Sequence, residues 1–341
     1  MTRSRMFEEA AAAPQVAARL LAAEAQALAR LGAELQQQPP QALLTVARGS
    51  SDHAAHYMAY LVMARLGRLV TSLPMSLVTL YRSRLQCQGL LALAFSQSGQ
   101  SPDLVAPLRD LGARGARTLA LVNDAASPLA QAAQGVLPLH AGAETSVAAT
   151  KSFIAQLVAG AALVGAWEAD RAFQDGLQAL PQALEAAWAL DWSAAVEALR
   201  GAERLYVIGR GTGLAVAMEA ALKFKEVCGI HAEGYSGAEV QHGPMALVED
   251  GFPMLVLAPR GPAQPGLLQL ATQMRARGAK VLLAAPPGTP GAALPLLATA
   301  HEDLDPITIA QSFYRMVEAL AHARGLDPDR PRHLAKVTRT E

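Results

Sequence analysis

The chain has 341 residues, enough for about two domains that each bury a core, and its two cysteines are too few for a disulfide framework. Lys plus Arg and Asp plus Glu balance at 29 each, a net charge of zero, which excludes the basic surface that nucleic acid or an anionic membrane demands. Apolar runs are broken by Gly, Pro or charge well short of the ~18 residues of a membrane span, and no signal peptide is expected at residues 1–9; these are the features of a soluble protein of the reducing cytoplasm.

Residues 8–37 place Leu20, Leu21, Leu28, Leu31 and Leu35 among alanines, a helical pattern that Pro39-Pro40 ends. Apolar strand-like runs then alternate with helical ones. Residues 43–47, 90–95, 117–122 and 136–139 form a first set, and 205–208, 253–258 and 280–284 a second. Continuous apolar runs, each followed by a helix, imply parallel strands covered on both faces. Between the sets, residues 150–199 read as a long helical region interrupted at Pro181.

The two sets look like copies of one unit. Gly49 and Gly211 follow the first strand of each, 162 residues apart (211 − 49). Pro102 and Pro265 open the next helix at an offset of 163 (265 − 102). Arg114-Gly115-Ala116-Arg117 and Arg277-Gly278-Ala279-Lys280 precede the third strand, again 163 apart (277 − 114). Landmarks in step over this distance imply an internal duplication. The fold expected is two tandem doubly wound α/β domains with parallel sheets, with ligand sites at the carboxyl ends of the strands. The expected boundaries are a helical segment 1–38, a first domain 39–180, a second domain 181–330 and a tail 331–341.

Chemistry concentrates where the copies differ. After its second strand the first copy reads Ser96-Gln97-Ser98-Gly99-Gln100-Ser101-Pro102, and the second reads Pro259-Arg260-Gly261-Pro262. Ser101 is expected as the N-cap of a helix that Pro102 opens, where free N–H groups and the macrodipole favour an anion. A serine-rich turn that merely caps its helix explains the loop equally well. The neighbouring Arg48-Gly49-Ser50-Ser51, at the end of an adjacent strand, adds donors and favours a phosphate monoester. No lysine follows the glycine, so this is not a nucleotide P-loop.

Only the second copy carries Glu219, Lys223 and Glu226, at i, i+4 and i+7 on one helix face, with His242-Gly243-Pro244 downstream. An ordinary solvated, salt-bridged face has the same spacing. Against that, Leu222, Phe224, Val227 and alanines fill the remaining faces, so the helix reads as buried, and charges on a buried helix need a reason. A carboxylate, an ammonium and an imidazole are the groups that move protons on a small anionic substrate. The expected site is divided, with binding in one copy and chemistry in the other.

Other signals are weaker. Gly209-x-Gly211-x-Gly213 lacks the spacing of a dinucleotide fingerprint. His53 and His56 share a helix face without a third ligand, so no metal is expected. Cys228 reads as a packed thiol, and the C-terminal stretch from Asp329 as a frayed tail.

Taken together, Ser96-Gln97-Ser98-Gly99, residues 144–151, residues 219–226, His231-Ala232-Glu233, His242-Gly243-Pro244 and Leu334-Ala335-Lys336 resemble the sugar isomerase (SIS) domain superfamily. The resemblance is to the isomerase half of glucosamine-6-phosphate synthase and to stand-alone glucosamine-6-phosphate deaminases. It implies that Ser51, Ser96, Gln97, Ser98 and Ser101 hold the sugar phosphate and that Val147 and Ala335 contact the sugar. It implies too that Glu226 shuttles a proton between C1 and C2 beside Lys223 and Glu219. By the same resemblance His242 opens the sugar ring from the partner subunit of a homodimer with a shared active site, and Lys336 closes the site from the tail.

The implied activity is conversion of glucosamine 6-phosphate to fructose 6-phosphate and ammonia, with neither metal nor redox cofactor. The alternatives are another phosphosugar isomerase, a fructosamine-6-phosphate deglycase, or a catalytically silent phosphosugar sensor. The sequence departs from the synthase pattern at Arg48, Ala149 and Gln241, where the synthase has cysteine, serine and lysine. No amidotransferase domain is expected ahead of residue 1.

Overall fold

The computed structural model describes residues 3–336. The leading segment forms α1 (Arg5–Ala11), α2 (Ala13–Ala23) and α3 (Ala25–Gln37) rather than one helix. Pro14 accounts for the first break, because its missing N–H is tolerated in the first turn of α2. Nothing in the structure explains the second break at Glu24.

The chain divides into two units, one built on residues 15–144, 151–178 and 335–336, the other on 3–14, 145–150 and 179–334. The first contains β1 (Ala42–Val46), α4 (Ser50–Leu66), β2 (Val70–Ser72), α5 (Ser76–Thr79), β3 (Leu90–Ser96), α6 (Pro102–Ala113), β4 (Arg117–Val122), α7 (Pro128–Ala132), β5 (Gly135–Pro138), α8 (Lys151–Glu168) and α9 (Arg171–Gln178). The second contains α10 (Leu180–Trp188), α11 (Ser193–Leu199), β6 (Arg204–Gly209), α12 (Leu214–Cys228), β7 (His231–Ser236), β8 (Pro253–Leu257), α13 (Gln264–Ala276), β9 (Lys280–Ala285), β10 (Leu294–Pro295) and α14 (Asp305–Ala323).

Each unit carries a five-stranded sheet, and every strand pairing in both is parallel. The orders are β2-β1-β3-β4-β5 and, from the other edge, β7-β6-β8-β9-β10. These are the same order, so the duplication read from the glycine and proline landmarks is a duplication of topology.

Side chains alternate across each sheet as a pleated strand requires. In the first, Val46, Ala92, Ala94, Ala120 and Val122 pack with Leu104, Leu108 and Leu111 of α6 and Leu129 of α7. The intervening Leu91, Leu93, Phe95, Leu119 and Leu121 are equally buried, and α4 packs on β1 and β3. In the second, Tyr206, Ile208, Met254, Val256 and Leu283 pack with Leu267, Leu270 and Met274 of α13, while α12 packs on β6 and β7 and against α14.

Three strands escape the sequence pattern: β2, β7 and β10, all at sheet edges. An edge strand has neighbours on one side only and can be short and polar, as His231-Ala-Glu-Gly-Tyr-Ser236 is. The helical region breaks beside Pro181, where α9 ends and Pro181 stands in the first turn of α10, and it breaks earlier too, at Ala169, whose φ of 59° is left-handed. No helix among the described residues is long and apolar enough to cross a membrane.

Candidate active site

In the first unit, β1 and β3 are adjacent, and the chain leaves β1 for α4 and β2 on one side and β3 for α6 and β4 on the other. That reversal of strand order is the switch point at which doubly wound sheets bind ligands. Both hydroxyl-rich loops sit there. Parallel register places Val46 opposite Ala94, so residues 48–51 leave their strand level with the Ser96 loop.

Gly49 turns the chain into α4 with φ of 55°. Gly99, at φ 63°, leaves no room for a side chain: a Cβ there would lie 2.2 Å from Ser127 Oγ. Three hydroxyls share one arrangement. Ser96 Oγ accepts from the Gly99 N–H at 3.0 Å, Ser98 Oγ from the Gln100 N–H at 3.3 Å, and Ser51 Oγ from Gln156 Nε2 at 3.0 Å. Each oxygen has an N–H on a lone pair, which leaves its own O–H to donate.

Ser101 does occupy the N-cap position of α6, with Pro102 next, but its hydroxyl makes no capping bond. Gln97 and Ser98 are half-buried beside it. Arg48 reaches across to α6, where its Nε meets Asp103 Oδ2 at 2.9 Å; Asp103 is buried and the guanidinium is largely exposed.

Also in this unit, Lys336 Nζ donates to Glu144 Oε2 at 3.0 Å, and Glu144 accepts from Ser152 N at 3.1 Å and Ser152 Oγ at 2.6 Å. The C-terminal stretch is therefore tied down at Lys336, with Ala335 exposed before it.

In the second unit, α12 presents Glu219 and Lys223, each 1% exposed, with Nζ 3.3 Å from Glu219 Oε1. Lys223 also makes a short ion pair with Glu226, and Tyr314 Oη of α14 donates to Glu219 Oε1 at 3.0 Å. Burial acts to lower the Lys223 pKa, but the two carboxylates outweigh it and hold the ammonium above its ordinary value. The helix ends at Gly229, left-handed at φ 61°.

Glu226 is 20% exposed and opens on a cavity of about 1040 Å³ whose wall includes Arg200, Lys225, Arg324, Arg330 and Arg332. The carboxylate is thus held by a buried cation on one side and open to a cavity on the other. Val147 is half-buried, and the turn before it is cradled by Glu9 of α1, whose carboxylate accepts from the backbone and hydroxyl groups of Thr145 and Ser146.

His242 lies on the exposed stretch between β7 and β8; among the described residues no hydrogen bond or ion pair joins it to Glu219, Lys223 or Glu226. Cys228 is a packed thiol: burial pushes its pKa up to about 12, and Sγ contacts Val317 O at 3.4 Å. Among the described residues no group of three or more His, Cys, Asp and Glu side chains is placed to hold a metal ion.

Sequence reasoning missed Gln156, Asp103 and Tyr314 and gave Glu144 no role of its own. Each acts through a residue far away in sequence, and only a polar residue on an apolar helix, as Gln156 is on α8, offered a signal.

The family model for the SIS domain matches residues 38–166 and 198–286. The chain belongs to the SIS domain family. Among curated relatives, a glutamine–fructose-6-phosphate aminotransferase (isomerizing) of Aeropyrum pernix is 39% identical over 321 residues, covering 88% of this chain and 51% of its own. That of Zymomonas mobilis is 36% identical over 313 residues, covering 87% and 51%. This SIS chain thus spans about half the length of those relatives. Among solved structures, a protein of Silicibacter pomeroyi provisionally assigned as a phosphosugar isomerase is 45% identical with a TM-score of 0.91, covering 96% of this chain and 100% of that one. The C-terminal domain of the Francisella tularensis aminotransferase, at 24% identity, TM-score 0.87 and coverage of 97% and 98%, shares the fold.

Proposed function

We propose that this SIS protein is a phosphosugar isomerase that deaminates, converting glucosamine 6-phosphate to fructose 6-phosphate and ammonia. The observation that carries the reading is the Glu219–Lys223–Glu226 set, in which a buried ammonium holds a carboxylate that is open to a cavity. Kinship with aminotransferases named as isomerizing supports the substrate class.

The serine hydroxyls of Ser51, Ser96, Ser98 and Ser101, with Gln97, hold the phosphate, so that binding energy remote from the reacting carbons fixes their position. Ring opening, assigned to His242 from the partner subunit of a homodimer, exposes the C1 aldehyde. The Glu226 carboxylate removes the C2 proton as O1 takes up a proton, giving an enolamine, and then returns the proton to C1; the amino group gives up one proton in turn, which balances that on O1. The product is a C2 imine, which water hydrolyses to the ketone and ammonia. Lys223 stays charged and sets the carboxylate, Glu219 balances the lysine, Lys336 is assigned to closing the site, and Ala335 and Val147 are assigned to sugar contacts.

The test is to incubate the purified protein with glucosamine 6-phosphate and measure both products. Ammonia and fructose 6-phosphate in equal amounts support the reading. Interconversion of unaminated phosphosugars without ammonia moves it to a plain aldose–ketose isomerase, and binding without turnover to a sensor.

A further inference from the structure

The helix α8 is buried at all but Ala166 and Glu168 of its 18 residues, and its interior is almost wholly apolar. Gln156 is the exception that needs a reason. It is 1% exposed, its Nε2 donates to Ser51 Oγ at 3.0 Å, and its Oε1 has no hydrogen-bond partner among the described residues. Buried polar atoms without partners are rare, and a leucine at this position would avoid the deficit altogether. The orientation also fits expectation, since an under-satisfied carbonyl is tolerated better than an orphaned N–H.

Ser96 and Ser98 have their lone pairs occupied by N–H groups of their own loop. Ser51 stands in the first turn of α4, where a serine hydroxyl commonly turns back to a carbonyl of its own backbone. It has no loop amide to prevent this. The Gln156 amide takes that part.

We propose that Gln156 is a positioning residue, which by donating to Ser51 Oγ keeps the Ser51 O–H pointed outward as a donor to the phosphate of the substrate. A phosphate monoester dianion offers only acceptors, so a serine that must bind it has to be a donor. The inference rests on the phosphosugar reading and adds to it a residue that makes no contact with the ligand itself.

The experiment measures the Kd for glucosamine 6-phosphate by calorimetry on the full chain and on Ser51→Ala, Gln156→Met and the double variant. Gln156→Met is expected to weaken binding about 5–10-fold, as loss of one hydrogen-bond donor does. The double variant is expected to bind within about twofold of Ser51→Ala, because the glutamine acts only through the serine. A merely structural role would lower the unliganded Tm equally in both backgrounds and would not produce this coupling.

An unchanged Kd in Gln156→Met, or losses that multiply in the double variant, overturns the proposal. Should Gln156→Met not fold, Gln156→Glu replaces it. Its carboxylate accepts a hydrogen bond from the Ser51 O–H, so binding is expected to be weaker than wild type, and binding as tight as wild type overturns the proposal. A wild-type protein that binds neither glucosamine 6-phosphate nor fructose 6-phosphate overturns the proposal together with the phosphosugar reading. Wild-type binding with independent effects overturns the proposal alone.

Discussion

Lys223 and Glu219 face each other across one turn of α12 at 3.3 Å, each side chain only 1% exposed. An exposed pair at this spacing would contribute little; a buried one is costly to break, because removal of one partner strands the other charge. Lys223→Met should therefore destabilise the protein by ~3–5 kcal/mol in urea unfolding. Pairing it with Glu219→Gln should recover part of the loss, since the stranded carboxylate is gone. Equal destabilisation in the single and double variants would show that the pair is not coupled.

The same lysine sets a pH dependence. Its folded-state pKa is raised above the ordinary 10.5, so the stability it contributes is fully present below that value. It is lost as pH rises through the higher folded-state value. Unfolding free energy from pH 6 to 10 should carry no slope from this group and should fall above about pH 10.5. The Lys223→Met/Glu219→Gln variant should fall less steeply over that alkaline range.

Cys228 should be inert while the protein is folded. Burial raises its pKa from 9.0 to about 12, so the thiolate is scarce at pH 8. An alkylating reagent at pH 8 should modify it only after denaturant is added, as followed by intact mass. Prompt labelling of Cys228 in the native protein would contradict its packing against Val317.

Gly32 of α3 is fixed by close approach and not by a special backbone angle. A Cβ there would lie 2.4 Å from the Ala166 carbonyl oxygen of α8, which as backbone cannot swing aside. Gly32→Ala should cost ~1–3 kcal/mol despite the better helix propensity of alanine, seen as a lowered Tm. A stabilised variant would mean the two helices can separate without loss.

The central strands were legible because parallel strands covered on both faces must be apolar throughout, as residues 90–95 and 117–122 are. The strands β2, β7 and β10 were not, because a strand with a neighbour on one side only can be short or polar; β5, also at an edge, stayed apolar and was legible. The duplication showed in Gly49 and Gly211, whose positive φ few other residues adopt, and in Pro102 and Pro265, which stand in the first turn of a helix, where a missing N–H is tolerated. Glu219, Lys223 and Glu226 were visible because helical period brings them together. Gln156 and Tyr314 were not, since they meet Ser51 and Glu219 from 105 and 95 residues away, a relation that no local period records.

The most direct test of the account compares wild type with Glu226→Gln on glucosamine 6-phosphate, measuring turnover and Kd side by side. Glu226 as the proton-transfer base predicts a loss of ~10²–10⁴ in kcat with Kd changed less than about threefold. A variant that keeps kcat within tenfold of wild type would contradict the assignment of Glu226, and with it the mechanism.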